Sequence, residues 1–314
     1  MNIFIYVNIY NTKMNIIFGK QIGFINYFYR GIIIKIFKNF YKERISYNTS
    51  TNNRYNIYKW DLSGHEVYMT QCFSDWGNEY LFLDSIKKRD KGIFLDIGCH
   101  TGFFSVLFNN YFNKTIGFEP SKKCLEALEI IKKKFNNFEY HNCFVGKDEC
   151  SIDSYDYSSG YAFSINEKNI HHKIIGKNKI KKITIDKFCE NNQIKKITGI
   201  KIDVDGIDFD VLKGAEKIIK KDRPSVVIEL YSKELINFFS NHNYDIFTFS
   251  STKQKPFNLK LEKLDSFNNN KWIKMVCCIP KEYSNDYKEE IFKGNSFFGV
   301  NKKKILNYFN FTYF

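Results

Sequence analysis

The chain has 314 residues, 43% of them hydrophobic and 18% aromatic, which excludes a disordered polymer and suffices to bury one α/β core with extensions at both ends. The formal charge of +14 points toward anionic partners, yet only five of the 48 basic residues are arginine. Lysine travels here with a surplus of Asn, Ile, Phe and Tyr, all encoded by A/T-rich codons, so the expectation is loose attraction to anionic surfaces and no dedicated nucleic-acid binding.

Eight cysteines occur without a CxxC spacing, and several fall inside apolar segments where free Cys acts as a small hydrophobe. That usage fits a reducing, cytoplasmic setting. Residues 1–59 form an aromatic and basic extension. Within it Ile25, Phe28, Ile32, Ile36 and Phe40 recur at helical spacing, while Lys13, Lys20, Arg30, Lys35 and Lys38 interrupt any run long enough to span a bilayer. This stripe suits burial against the protein's own core or a partner chain. The alternative is peripheral contact with a membrane through residues 15–41.

From Gly92 to Gly98 the sequence reads as a short buried strand ending in Asp96 and a glycine. Phe103, Val106 and Leu107 then open a helical stripe. A strand, a glycine turn and a helix mark the place where an α/β sheet receives a nucleotide-like ligand. Gly98 lets the backbone approach that ligand, and Gly102 lets the helix start pack closely against the strand. The spacing is D-x-G-x-x-x-G rather than the G-x-G-x-x-G of a dinucleotide site. An acid ahead of the turn repels a pyrophosphate but attracts the ammonium and sulfonium of S-adenosylmethionine, so Asp96 favours the methyl donor over NAD.

Thr115 to Pro120 reads as a second strand, and Glu119 lies 21 residues beyond Gly98. At that interval an acid meets ribose hydroxyls, and one carboxylate can accept from both vicinal hydroxyls. Ser121 is the expected N-cap of the next helix, with Cys124, Leu128, Ile131 and Phe135 as its buried stripe. A third strand is expected over Phe138 to Val145, with Asn142 as the polar group near the adenine. Residues Lys147 to Lys182 read as a loop or hairpin insertion, with His171-His172 solvated rather than a metal pair.

Ile197 to Val204 suits another buried strand, followed by one helix with Ile207, Val211, Ala215, Ile218 and Ile219 as its stripe. Asp208 and Asp210 in the first turn and Lys217, Lys220 and Lys221 in the last are placed as the helix dipole favours. Asp203 ends its strand facing the cleft. Arg223 to Leu230 is a fifth strand delivering Glu229 to the same edge.

Together, Phe94 to Gly102, Phe118-Glu119-Pro120, Thr184 to Phe188, Lys201 to Ala215 and Val227-Ile228-Glu229 resemble the FkbM family of methyltransferases, in order and spacing. The resemblance implies a class I, Rossmann-like three-layer α/β sandwich. Its mostly parallel sheet would have about seven strands, completed by Tyr244 to Ser250 and Trp272 to Pro280. The methyltransferase domain would span 60–281 with its core at 92–250, between the helical N-terminal extension and a C-terminal extension, 282–314. The resemblance also implies S-adenosylmethionine-dependent O-methylation of a sugar, glycolipid or other small-molecule acceptor. One departure is visible: Cys99-His100 stands where the family has Ala-Asn.

The cofactor-binding set expected is therefore Asp96, Gly98, Gly102, Glu119 and Asn142. Asp203 is the first choice for the group that deprotonates or orients the acceptor, followed by Glu229 and His100. Asp203 and Glu229 sharing a divalent cation is the open alternative for the same pair, since hard oxygens suit Mg²⁺. Two competing functions use the same residues: a glycosyltransferase whose Asp203-Val204-Asp205 binds a metal-nucleotide sugar, and a binding protein that kept the fold without turnover.

Overall fold

In the computed structural model, the described residues are 16–40, 43–72, 74–87, 89–157, 174–252, 254–255 and 259–285. His171-His172 and the 286–314 part of the C-terminal extension lie outside them.

After residues 16–22, which are helical, come helix α1 (Phe24–Phe40), a β-hairpin of β1 (Arg44–Asn48) and β2 (Arg54–Tyr58), and two helices, α2 (Leu62–Met69) and α3 (Asn78–Lys87). The sheet proper follows. Strand β3 (Ile93–Ile97) leads through α4 (Phe103–Phe108) to β4 (Lys114–Phe118), and α5 (Leu125–Lys134) leads to β5 (Phe138–His141). A two-residue strand β6 (Phe144–Val145) and the hairpin β7 (Cys150–Tyr157) and β8 (Ile174–Ile183) make a separate small sheet, so the expected insertion is a hairpin. After α6 (Ile185–Asn191) come β9 (Ile197–Ile202), α7 (Asp208–Gly214), α8 (Glu216–Asp222), β10 (Ser225–Ile228) and α9 (Lys233–Asn241). Strands β11 (Tyr244–Thr252), β12 (Lys260–Lys263), β13 (Lys271–Ile273) and β14 (Val276–Pro280) complete the main sheet.

The main sheet runs β12-β11-β14-β10-β9-β3-β4-β5, with β13 also paired to β11. From β10 to β5 all pairs are parallel, while β14 is antiparallel to both β10 and β11. Seven strands thus form the expected class I methyltransferase sheet; β12 adds a strand at its far edge, and β13 continues the line of β14 along β11.

Each strand feeds two cores by the period-2 alternation of its side chains. Phe94 of β3, Val227 of β10 and Cys277 and Ile279 of β14 face one layer, with α3, α4, α5 and the N-terminal elements. Leu95, Ile97, Val226, Ile228, Val276 and Cys278 face the other, with α6 to α9. All eight cysteines are free, and only Cys150 is exposed.

Four sequence expectations are corrected. The third strand stops at His141, because the chain bends there and Phe144–Val145 joins the small sheet instead. The helix after β9 is two helices, broken at Ala215, and Asp186 ties them to α6 by accepting from the first amides of α8, Lys217 N (3.1 Å) and Ile218 N (3.0 Å). Ser121 makes no side-chain cap; a short 3₁₀ turn, Lys122–Cys124, intervenes before α5. The fourth concerns α1. The stripe Ile25, Phe28, Ile32, Ile36 and Phe40 faces outward, and Ile34 and Phe37 are the residues that reach the core. Among the described residues no helix is long and apolar enough to cross a membrane.

Candidate active site

The order of the parallel strands reverses between β3 and β9, since the chain moves one way through β4 and β5 and the other way through β10. Their C-terminal ends therefore open a crevice, the switch point where ligands bind in sheets of this kind. A cleft of about 290 Å³ lies there.

Gly98 begins the turn above β3 with φ +72°, a conformation that favours glycine. The reason for glycine differs from the sequence expectation. A Cβ on Gly98 would stand 1.9 Å from the carbonyl oxygen of Asp203, so it is the end of β9, and not a ligand, that forbids a side chain. Gly98 N (2.9 Å) and Cys99 N (3.1 Å) both donate to Phe118 O of β4, and Asp203 N donates to Ile97 O at 3.1 Å. Beneath the turn, Lys201 Nζ donates to Gly98 O at 2.6 Å. Three strand ends are thereby locked to one another.

Glu119 stands at the end of β4 and is 1% exposed, yet it lines the cleft. Its Oε2 accepts from His100 N and its Oε1 from Ser121 N, both at 2.8 Å. Burial raises its pKa, opposed by His100 and by those two amides. Each oxygen keeps a further lone pair for a ligand. His100 can offer its amide because it adopts φ +50°. Asn and His are among the residues that tolerate this left-handed region best, which accounts for His100 where the resembling family carries Asn.

The other expected donor-site residues fall behind the wall. Asp96 is fully buried under the floor: Ser105 Oγ donates to its Oδ2 at 2.6 Å, while Oδ1 has no hydrogen-bond partner and lies 3.8 Å from Lys201 Nζ. Gly102 caps α4 at φ +80°, where a Cβ would meet Ile131 Cδ1 at 2.3 Å, so the packing it permits is against α5 rather than against β3. Asn142 Nδ2 donates to Glu119 O (2.8 Å) and Pro120 O (3.0 Å), fixing the loop after β4. The three residues after it, Cys143, Phe144 and Val145, line the cleft in its place.

Asp203 and Glu229 line the cleft across from Glu119, with Asp205 nearby, and His100 lines it from the turn beside Glu119. Sequence reasoning missed the rest of this wall: Glu66 from α2, Asp75 and Lys274, with Lys201 below. Lys274 Nζ donates to Glu66 Oε1 (2.5 Å) and Ser74 O (2.7 Å) and stands 3.8 Å from Asp75 Oδ1. The usable signal was a lysine flanked by apolar residues, as at Ile200-Lys201-Ile202 in β9 and Ile273-Lys274-Met275 between β13 and β14. Such an ammonium is buried only where carboxylates meet it.

These charges sort the carboxyls. Burial alone would raise Asp203, but the Lys201 ammonium at 3.2 Å and a hydrogen bond with Glu229 outweigh it and bring Asp203 below its ordinary range. Glu229 moves up, through loss of water contact and the neighbouring Asp203 charge. Asp75 is pushed up to about 6 by burial and by Asp203 and Glu66, against the pull of Lys274. Behind it, Glu79 accepts from Asp75 N (2.6 Å) and Gly77 N (3.0 Å), and burial and the Asp75 charge push it up to about 8. Among the described residues no group of three or more His, Cys, Asp or Glu is placed to hold a metal ion. The divalent-cation alternative for Asp203 and Glu229 therefore finds no support, and Lys201 already supplies their positive charge.

His100 is joined to the N-terminal segment. Its Nδ1 lies 3.7 Å from Asp61 Oδ1, and Asp61, the N-cap of α2, also accepts from Gly64 N and from Thr101 Oγ1 at 2.8 Å each. Tyr55 of β2 completes this chain through Thr101.

Residues 96–246 match the family model for the methyltransferase FkbM domain, which spans the glycine turn, Glu119, Asp203 and Glu229. Just under half of the chain thus matches the FkbM methyltransferase domain. Among solved structures it is similar to the FkbM methyltransferase of Methylobacillus flagellatus KT (16% identity, 69% of this chain and 55% of that one, TM-score 0.39). It is also similar to precorrin-6y C5,15-methyltransferase from Geobacter metallireducens GS-15 (11%, 64% and 86%, 0.35) and to an rRNA methylase from Streptococcus thermophilus (12%, 63% and 92%, 0.31). The chain spans 55% of the length of the Methylobacillus structure it resembles. No curated protein matches its sequence.

Proposed function

We propose that this FkbM domain is an S-adenosylmethionine-dependent methyltransferase acting on a hydroxyl oxygen of a sugar, glycolipid or other small polyol. The observation that carries the reading is Glu119: a buried carboxylate in the cleft wall, both oxygens fixed by backbone amides, one strand away from the glycine turn. Its oxygens can accept from the vicinal hydroxyls of a ribose, and a pyrophosphate would be repelled by it. Cys143, Phe144 and Val145 offer an apolar wall for the adenine, and the Gly98 to His100 turn borders the remaining space. When bound, the donor supplies an electrophilic methyl group on a sulfonium.

Asp203, kept ionised by Lys201, accepts the hydrogen bond of an incoming hydroxyl and takes its proton. Glu229, held protonated beside it, donates to Asp203 and keeps its carbonyl oxygen to accept from a second hydroxyl of the acceptor. Positioning of this kind is worth roughly 7–11 kcal/mol, and a base adds about 10²–10⁴-fold. A wall of carboxyls and ammoniums favours an acceptor rich in hydroxyls over an apolar one.

Thermal denaturation with S-adenosylmethionine, then with a UDP-sugar and Mg²⁺, separates this reading from the glycosyltransferase. The donor at about 100 times its Kd should add about 2.7 kcal/mol of stability. Stabilisation by the UDP-sugar alone would overturn the proposal. A labelled-methyl screen over extracted glycans and lipids then identifies the acceptor, and transfer to none of them, despite donor binding, favours a binding protein without turnover.

A further inference from the structure

Helix α1 divides into two unlike faces. One packs on α2: Arg30 Nη1 donates to Tyr68 O at 2.8 Å with its guanidinium over the Tyr68 ring, Phe37 meets the His65 ring at 6.1 Å, and Ile34 is buried. The other carries Phe24, Ile25, Phe28, Tyr29, Ile32, Ile36 and Phe40, seven of the ten exposed large hydrophobic residues among the described part of the chain. Ile25 is 88% exposed, Phe28 72% and Phe40 81%. At 100° per residue these seven fall within one arc, with Lys35 inside it and Lys38 at its border. At about 1.5 Å per residue the helix is about 26 Å long, the geometry of an element that lies along a surface. A contiguous apolar face of this kind marks a contact.

Charge decides what covers it. Residues 1–42 contain Lys13, Lys20, Arg30, Lys35, Lys38 and Lys42 and no Asp or Glu at all. A second copy of the same face would set Lys35 and Lys38 against their own counterparts. An anionic lipid surface attracts them, takes the apolar arc into its acyl boundary, and leaves long lysine stems free to reach the headgroups. We infer that α1 docks the protein on an anionic membrane surface, apolar arc down. Helix α2, on which α1 rests, contributes Ser63, Gly64, Glu66 and Val67 to the cleft, so the docked helix is one layer from the site.

The test uses the full-length protein and sedimentation with vesicles of phosphatidylcholine alone or mixed in equal parts with phosphatidylglycerol. Binding should require the anionic lipid and weaken with salt. In the Ile25→Ser/Phe28→Ser double variant it should fall about tenfold or more, with an unchanged melting temperature, since both side chains face outward. Absence of binding to anionic vesicles, or equal binding by the variant, overturns the inference. So does a wild-type dimer in light scattering that the variant abolishes, or a melting temperature lowered by the double substitution, which would mean that the face is covered by protein. The assay reads mass on vesicles, so its outcome is independent of whether methyl transfer is found.

Discussion

The two walls of the cleft are built by different means. The wall proposed for the methyl donor is a backbone structure: Gly98, Cys99, His100 and Ser121 commit their amides to Phe118 and Glu119 over a span of two dozen residues. The wall proposed for the acceptor is a side-chain structure, in which Glu66, Asp75, Lys201, Asp203, Glu229 and Lys274 meet from segments spread over more than two hundred. Fixed dipoles tolerate exchange of neighbouring side chains, whereas a set of paired charges changes as a whole when one member is lost. The first should bind one invariant ligand; the second is free to be rewritten for different acceptors.

Substitutions can break this division, starting where both walls share one contact. Gly98→Ala forces a Cβ into Asp203 O at a positive φ, and it should cost about 3–5 kcal/mol of stability, read as a large drop in melting temperature or loss of soluble protein. A native melting curve would show that the walls are not joined there. Asp203→Asn should lower kcat by about 10²-fold while donor affinity stays within a few-fold. Wild-type turnover would shift the role to Glu229 or His100. Glu119→Ala should do the converse, weakening donor binding by about 1.5–3 kcal/mol in calorimetry, and an unchanged affinity would remove the ribose assignment.

Per pH unit, a smaller effect than these is expected from titration. Asp75 and Glu79 titrate near 6 and 8 in the folded protein, above their unfolded values, so the folded state holds more protons between about pH 4 and 8. Stability should therefore fall as pH rises through that window, by at most about 1.4 kcal/mol per unit for each group. Glu79→Gln should flatten the upper part of the curve. Stability that rises with pH there would contradict the assigned directions.

This division also explains what could be read from the sequence. The strand–turn–helix from Gly92 and the acid at Glu119 are local patterns, and the parallel half of the sheet followed from them. Local spacing could not show that Asp96 faces the floor, because Ser105, which holds it, is reached only once α4 has packed. Nor could it find Glu66, Asp75 and Lys274, whose partners are remote in sequence. The stripe on α1 was legible as a helix and does not face the protein's own core, since Arg30, with its guanidinium over the Tyr68 ring, takes a core-facing place expected of an apolar residue.

The antiparallel strand β14 has a consequence for how the molecule is made. It lies between β10 and β11, although both precede it in the chain. As the polypeptide leaves the ribosome, Ser225–Ile228 must wait for Val276–Pro280, a delay of about 48 residues or roughly 2–10 s at 5–20 residues per second. During that interval two apolar strand edges stand open at the centre of the sheet, the arrangement most prone to pairing with the wrong chain. The nascent protein thus has its period of greatest exposure after the donor wall has been synthesised and just before Lys274 arrives with the closing strand.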